Sequence, residues 1–182
     1  MCIRDSITTS PVKKALHGLA NIFVSQAISE LFTIADESIA GALEIPTDII
    51  FDDFATGAKI SDMPEKLSIC RAKGIAFSGI LLQSESQLKR MYGEYEAIEI
   101  IDQCDSYVFF GGNNYETAKA LSLKMNVPLD EILYLPVGRT IVFRRGQKPV
   151  FSTRYDIFHD EFYQRITQSH TGQKDDQWSK DR

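Results

Sequence analysis

Three apolar runs alternate with stretches of helical period, and this alternation most constrains the fold. The runs are Ile45 to Phe51, Ile75 to Leu82 and Tyr107 to Phe110. Each has the length of a strand; the first turns apolar at Ile49 after Thr47 and Asp48, and the second is a continuous apolar run, which is how a parallel strand buried on both faces reads. The first is followed by a segment in which Asp62 and Glu65 can form a capping box, with a helix reaching about Lys73 and Gly74 as its stop. The second leads into helical material at Glu85–Tyr92 and Tyr95–Gln103. The third precedes a helix over about Tyr115 to Met125, with Asn114 as N-cap. Strand, helix, strand, helix, strand, helix predicts an α/β fold, with a mostly parallel sheet and helices on both faces.

Outside this block, residues 12–35 repeat apolar side chains at three- and four-residue steps (Leu16, Leu19, Phe23, Ala27, Leu31, Ile34), which predicts a further helix. Its start signal is Ser10-Pro11, and its pattern fades towards Gly41 and Pro46. Thr140–Arg144 and Pro149–Thr153 flank Arg145-Gly146-Gln147-Lys148, the pattern of a C-terminal β-hairpin. From Thr167 to Arg182 the chain is polar and predicts a disordered tail. The expected division is therefore a short arm over 1–11, a folded unit over 12–166 and a tail over 167–182.

All three runs end in polar or glycine residues: Asp52-Asp53, Gln83-Ser84 and Gly111-Gly112-Asn113. In a parallel sheet such ends line one edge, and ligands bind in the crevice there. Acids in that position hold Mg²⁺, often through water, or orient an attacking water. A solvated strand end would look the same for Asp52-Asp53 alone; three such endings together favour a site. Gln83 suits a sensor of water or phosphate, or a capping amide for the next helix. Arg71 and Lys73 suit the macrodipole at a helix end, or, for Arg71, an arginine finger aimed at a phosphate on a neighbouring subunit. Gly111-Gly112 allows close approach of backbone to a ligand, or simply turns.

Other features exclude more than they assign. The net charge of −5 gives no global footprint for nucleic acid, although Arg144, Arg145, Lys148 and Arg154 make the hairpin locally basic. That basic hairpin is a solvated tip or a nucleic-acid contact. Cys2, Cys70 and Cys104 have no zinc spacing and read as reduced thiols, with Cys70 and Cys104 as small side chains on helices. His17, His159 and His170 form no metal or dyad pattern. No apolar stretch is expected to reach the roughly 18 to 20 residues that a membrane span needs. Met1-Cys2-Ile3-Arg4-Asp5-Ser6 resembles translated sequencing-adapter sequence, so the natural reading frame is expected to extend upstream.

The residues then resemble a family. Asp52-Asp53-Phe54-Ala55, Lys59-Ile60, Cys70 to Gly74, Leu82-Gln83-Ser84, Ser86-Gln87-Leu88, Tyr92-Gly93, Cys104-Asp105-Ser106, Phe110 to Asn113 and Arg145 to Pro149 follow in order. About residues 12–166 resemble the carboxyl-terminal half of TraG/TraD-like type IV secretion coupling proteins, the conjugative DNA-transfer ATPases. The resemblance implies part of a RecA-like P-loop NTPase domain from the Walker B strand onward. It implies ATP and Mg²⁺ as cofactors in the full-length protein, and a homohexamer anchored at the cytoplasmic face of the bacterial inner membrane. The partners it implies are relaxase with single-stranded DNA and the secretion channel. By this resemblance Asp52 matches the Walker B acid that holds Mg²⁺, Asp53 its catalytic carboxylate, Arg71 the finger and Gln83 the glutamine of the next motif.

Three departures accompany the match. The phosphate loop, the membrane anchor and the intervening helical domain of such proteins have no counterpart in these 182 residues, so the chain alone is expected to be inactive as an ATPase. Asp53 stands where Glu is usual. The segment from Arg71 to Gln83 is one residue long, which predicts a bulge near Gly79 and bears on whether Gln83 reaches the site. Two other classes stay in view: a non-catalytic interaction module of a secretion or relaxosome complex, and a chromosome-translocating or packaging ATPase of the same broad fold.

Overall fold

The structure, a computed structural model, describes residues 5–8, 15–56 and 59–167. Most of the arm expected over 1–11 and the tail from residue 168 onward lie outside the described residues. The order of elements is α1 (Ala15–Glu37), β1 (Thr47–Phe51), α2 (Met63–Cys70), β2 (Ile75–Ile80), α3 (Glu85–Tyr92), α4 (Glu94–Gln103), β3 (Ser106–Phe109), α5 (Tyr115–Met125), α6 (Leu129–Leu133), β4 (Arg139–Arg144) and β5 (Val150–Thr153). The α/β alternation and the hairpin stand as expected. The sheet is divided, however. β1 and β2 form a parallel pair, whereas β3 joins β4 and β5 in a separate antiparallel sheet of order β3-β4-β5. The single mostly parallel sheet is thereby corrected. Apolar character says that a strand is buried, and it does not say which neighbour takes its hydrogen bonds.

Each sheet has its own core. The first gathers Phe54, Ile60, Met63, Leu88, Tyr92, Ala97 and Ile100, with Phe51, Phe77 and Ile80 packed against it. Phe51 packs on Phe54 and on Phe77, and Phe54 stacks on Tyr92 with centroids 5.7 Å apart. The second gathers Ala118, Leu121, Ile132, Ile141 and Phe143.

The parallel pair is covered on one face only. Along β1, Asp48 and Ile50 point outward, and Ile50 is 67% exposed. On β2, Ala76 and Ser78 share that open face. Burial on both faces, expected from the apolar runs, is therefore not found among the described residues.

The predicted bulge is present. Ile49 faces Phe77 and Ile50 faces Gly79, so Ser78 is the extra residue. A Cβ on Gly79 would lie 3.3 Å from Ile50 Cγ2, which explains a glycine at this crossing.

Some helix ends follow the local chemistry that the sequence predicts, and one predicted start does not. Gly74 ends the α2 segment at φ +73°, its N–H donating to Arg71 O. Asn114 caps α5, its Oδ1 accepting from Thr117 N at 2.9 Å. The capping box at Asp62 and Glu65 does not form. Asp62 sits in the left-handed region at φ 53°, outside the extended backbone usual for a capping residue, and makes no side-chain cap bond.

α1 corrects the membrane reading. Its stretch His17–Glu37 is 21 residues long and is apolar enough to cross a membrane by length and composition. Ser25, Gln26, Ser29 and Thr33 interrupt any unbroken run, so the average carries the signal. This helix also docks on the rest of the molecule: Ile28 and Ala35 are buried, Val24 packs on the first core, and Asp36 pairs with Lys73.

Candidate functional site

The carboxyl ends of β1 and β2 stay paired beyond the strands themselves. Leu81 N donates to Phe51 O at 2.9 Å, and Phe54 N donates to Leu81 O at 3.0 Å. This extension carries the residues after β1 alongside those after β2. Asp53 Oδ1 accepts from Gln83 Nε2 at 3.1 Å as a result. Two side chains 30 residues apart meet at the strand edge where the sequence places a site. The bulge at Ser78 does not pull Gln83 away; Phe51 and Ile80 re-enter register after it.

Asp53 adopts φ 51°, a left-handed conformation that Asp tolerates better than most residues. Its short side chain suits that turn, which gives a physical reason for Asp in place of Glu. Asp52 and Asp53 are both exposed. Two adjacent carboxylates fit Mg²⁺, which keeps several waters and takes one or two protein acids plus phosphate oxygens. Among the described residues no cluster of three or more His, Cys, Asp or Glu forms an all-protein metal cage.

Gln87 belongs to this site and was not among the predicted site residues. From the first turn of α3 its Nε2 donates to Gln83 Oε1 at 3.2 Å. That bond and the Asp53 bond together fix which way the Gln83 amide faces. A four-residue spacing from Gln83 was the available signal.

The loop after Asp53 is pinned from below. Ile60 N donates to the buried Tyr92 Oη at 3.0 Å. Lys59 Nζ lies 5.3 Å from the Tyr92 ring centroid and pairs with Glu96 at 2.7 Å. Burial, and secondarily the Glu96 charge, push the Tyr92 phenol up to about 12.

Arg71 lies elsewhere. It precedes β2, so it sits at the opposite end from Gln83 of a strand whose six residues span about 20 Å at roughly 3.3 Å per residue. It pairs with Asp105, and its side chain is 80% exposed. Arg71 and the Asp52-Asp53 edge of the same chain thus lie at opposite ends of the parallel pair. Lys73 is occupied by Asp36.

Gly111-Gly112-Asn113 follows β3 and therefore belongs to the antiparallel sheet, with Gly111 at φ +90° approaching Leu135. The expected line of three strand ends is thus reduced to two that meet by hydrogen bonding. Between the halves, Tyr107 Oη donates to Glu85 Oε1 at 2.8 Å. Burial, then the Glu85 charge, hold that phenol well above its ordinary range. The hairpin is not a simple solvated tip: Arg145 N donates to Asp105 O at 2.9 Å and its Nη2 donates to Asp102 O at 2.8 Å. Cys70 and Cys104 have thiols pushed up chiefly by burial, which suits packing and not nucleophilic chemistry. His159 pairs with Asp156 at 2.7 Å, and His170 lies outside the described residues.

Comparison with known proteins agrees with this geometry. Residues 46–125 match the family model described as the TraM recognition site of TraD and TraG. Among solved structures, the bacterial conjugative coupling protein TrwBdeltaN70 in complex with sulphate superposes with a TM-score of 0.63 at 22% identity. That match covers 78% of this chain and 37% of the other. The plasmid coupling protein TrwB with the ATP analogue ADPNP gives 0.63 at 23% identity, over the same shares of the two chains. TrwB with ADP and Mg²⁺ gives 0.60 at 21% identity, over 78% and 38%. The chain thus spans little more than a third of the length of these proteins. No curated protein matches it significantly. The matched segment holds Asp52, Asp53, Arg71 and Gln83, and over it the chain is similar to the TraM recognition site of TraD and TraG, on an α/β fold shared with part of a conjugative coupling protein.

Proposed function

We propose that this chain is the Walker B half of an ATP-driven coupling protein that delivers relaxase-bound single-stranded DNA to a type IV secretion channel. The observation that carries the reading is the Asp53–Gln83 hydrogen bond at the carboxyl edge of the parallel pair, inside the TraG/TraD-like segment. In this reading Asp52 holds a magnesium water shell and Asp53 orients the attacking water. Mg²⁺ supplies neutralisation of charge on the phosphates. Gln83 couples Asp53 to α3 through Gln87, so a change at the acid is felt at a helix. Arg71, too far from its own site, faces a phosphate on a neighbouring subunit of a hexamer. The folded unit is residues 12–166, and the parent works at the cytoplasmic face of the bacterial inner membrane.

A second reading is supported by the description of the matched family, a recognition site for TraM. Residues 46–125 would then dock a relaxosome protein without chemistry of their own. One experiment separates the two. Residues 46–166 replace the corresponding segment of a transfer-competent coupling protein, and conjugation frequency is measured with and without Asp53→Ala. The motor reading expects the graft to transfer and Asp53→Ala to lose most of the transfer and ATP hydrolysis, with TraM binding unchanged. Transfer at the level of the unmutated graft by the Asp53→Ala protein refutes it and leaves the docking reading.

A further inference from the structure

Asp105 stands between two arginines from opposite halves of the molecule. Its Oδ2 pairs with Arg71 Nη2, from the turn before β2. Its Oδ1 lies 3.6 Å from Arg145 Nε, from the turn after β4. Arg145 is held independently, by its own N–H on Asp105 O and by Nη2 on Asp102 O. Arg71 is 80% exposed, and Asp105 is 45% exposed. Arg144, one residue earlier, is paired in register with Ser106 beside the same junction and is also exposed. Two guanidinium groups thus meet one carboxylate, on a chain whose overall charge is −5.

A carboxylate bridged by two guanidinium groups, one on each oxygen, occupies the place a phosphoryl group would take. We propose that Arg71 and Arg145 form an oxyanion site for a phosphoryl group, and that Asp105 is its internal counter-ion, displaced when the phosphoryl group binds. This rests on the reading of Arg71 as a residue that meets phosphate. Exchange at this site is inexpensive for two reasons. The pair is solvent-exposed, so the attraction to be broken is small. After displacement, the Asp105 carboxylate, 45% exposed, is taken up by water and is not left buried without a partner.

The test uses the full chain, with inorganic pyrophosphate as the probe and the side-chain Nε–Hε NMR signals of the arginines as the readout. Pyrophosphate is expected to shift Arg71 and Arg145. Asp105→Asn is expected to tighten binding by up to about fivefold, the scale of an exposed ion pair. Arg71→Ala should abolish that gain when combined with Asp105→Asn. Asp105→Ala serves as a second variant should the asparagine disturb the β3 junction. Unchanged or weaker binding in a folded Asp105 variant overturns the proposal, as does a gain that survives Arg71→Ala. Displacement of pyrophosphate by a nucleoside triphosphate assigns the site to a nucleotide phosphate. Displacement by a thymidine oligonucleotide alone assigns it to a nucleic-acid backbone. Both outcomes support an oxyanion site. The titration repeated in Asp53→Ala should be unaltered, so failure of the Walker B reading and failure of this one are told apart.

Discussion

The parallel half of this molecule and its antiparallel half solve the same burial problem with opposite consequences for function. In the parallel half, β1 and β2 are joined through α2, and their carboxyl ends emerge side by side, so that Asp53 and Gln83 meet. In the antiparallel half, β3, β4 and β5 run in alternate directions, and the loops at any one edge join ends of opposite sense. That half presents a basic turn docked on Asp105. A crossover topology gathers strand ends into a site; a hairpin topology builds a braced surface.

The largest expected effects test whether the two cores are separate. Leu88 in the first core and Ile141 in the second are fully buried. Leu88→Ala and Ile141→Ala should each cost about 2–5 kcal/mol in chemical denaturation. Amide hydrogen exchange sharpens the comparison: Leu88→Ala is expected to lower protection mainly in β1, β2 and α3, and Ile141→Ala mainly in β3–β5. Equal loss across both halves in either variant would break the distinction and make the molecule one cooperative unit.

Tyr92 comes next, because it ties the loop after Asp53 to the first core. Tyr92→Phe leaves the Ile60 N–H without its acceptor and should cost about 1–3 kcal/mol. Tyr107 in the other half is raised as well, so the Tyr92 signature is the difference between the parent protein and Tyr92→Phe. The phenol is raised in the folded protein, so above its ordinary value near 10 the unfolded chain loses the proton first. Stability is therefore full below pH 10 and falls as pH rises from 10 towards 12. Tyr92→Phe should flatten that part of the profile, measured by urea denaturation across the window. An unchanged slope would place the titration elsewhere.

The smallest effects compare helix starts in the two halves. Asn114→Ala removes a bond that caps α5 and should cost about 1 kcal/mol. Glu65→Ala removes the acid of a capping box that does not form at α2 and should stay within about 0.5 kcal/mol. Paired thermal melts check this, and equal costs would mean that Glu65 does more at α2 than the geometry shows.

These contrasts mark where sequence reading succeeded. The helix of Tyr115–Met125 with its Asn114 cap, the stop at Gly74, the hairpin around Gly146 and the extra residue near Gly79 all depend on a few neighbouring residues, and all were legible. Asp53 and Gln83 were legible as strand-end residues, because an apolar run ending in a polar group is itself a local pattern. Gln87 was not singled out, since only the packing of α3 shows that its amide reaches Gln83. Nor was the Asp62–Glu65 misreading avoidable: the capping pattern is present, and the left-handed backbone at Asp62 decides against it.

By itself the sequence determined the order of elements, their ends and the identity of the acids, since propensity, capping and turn chemistry act over a few residues. Tertiary structure alone decided that β3 pairs with β4 and not with the parallel pair, and that Arg71 rests on Asp105 at the end of β2 remote from Gln83. Strand partners and ion pairs are contacts across long sequence separations. They are chosen by which surfaces can be buried together, and no local pattern encodes that choice.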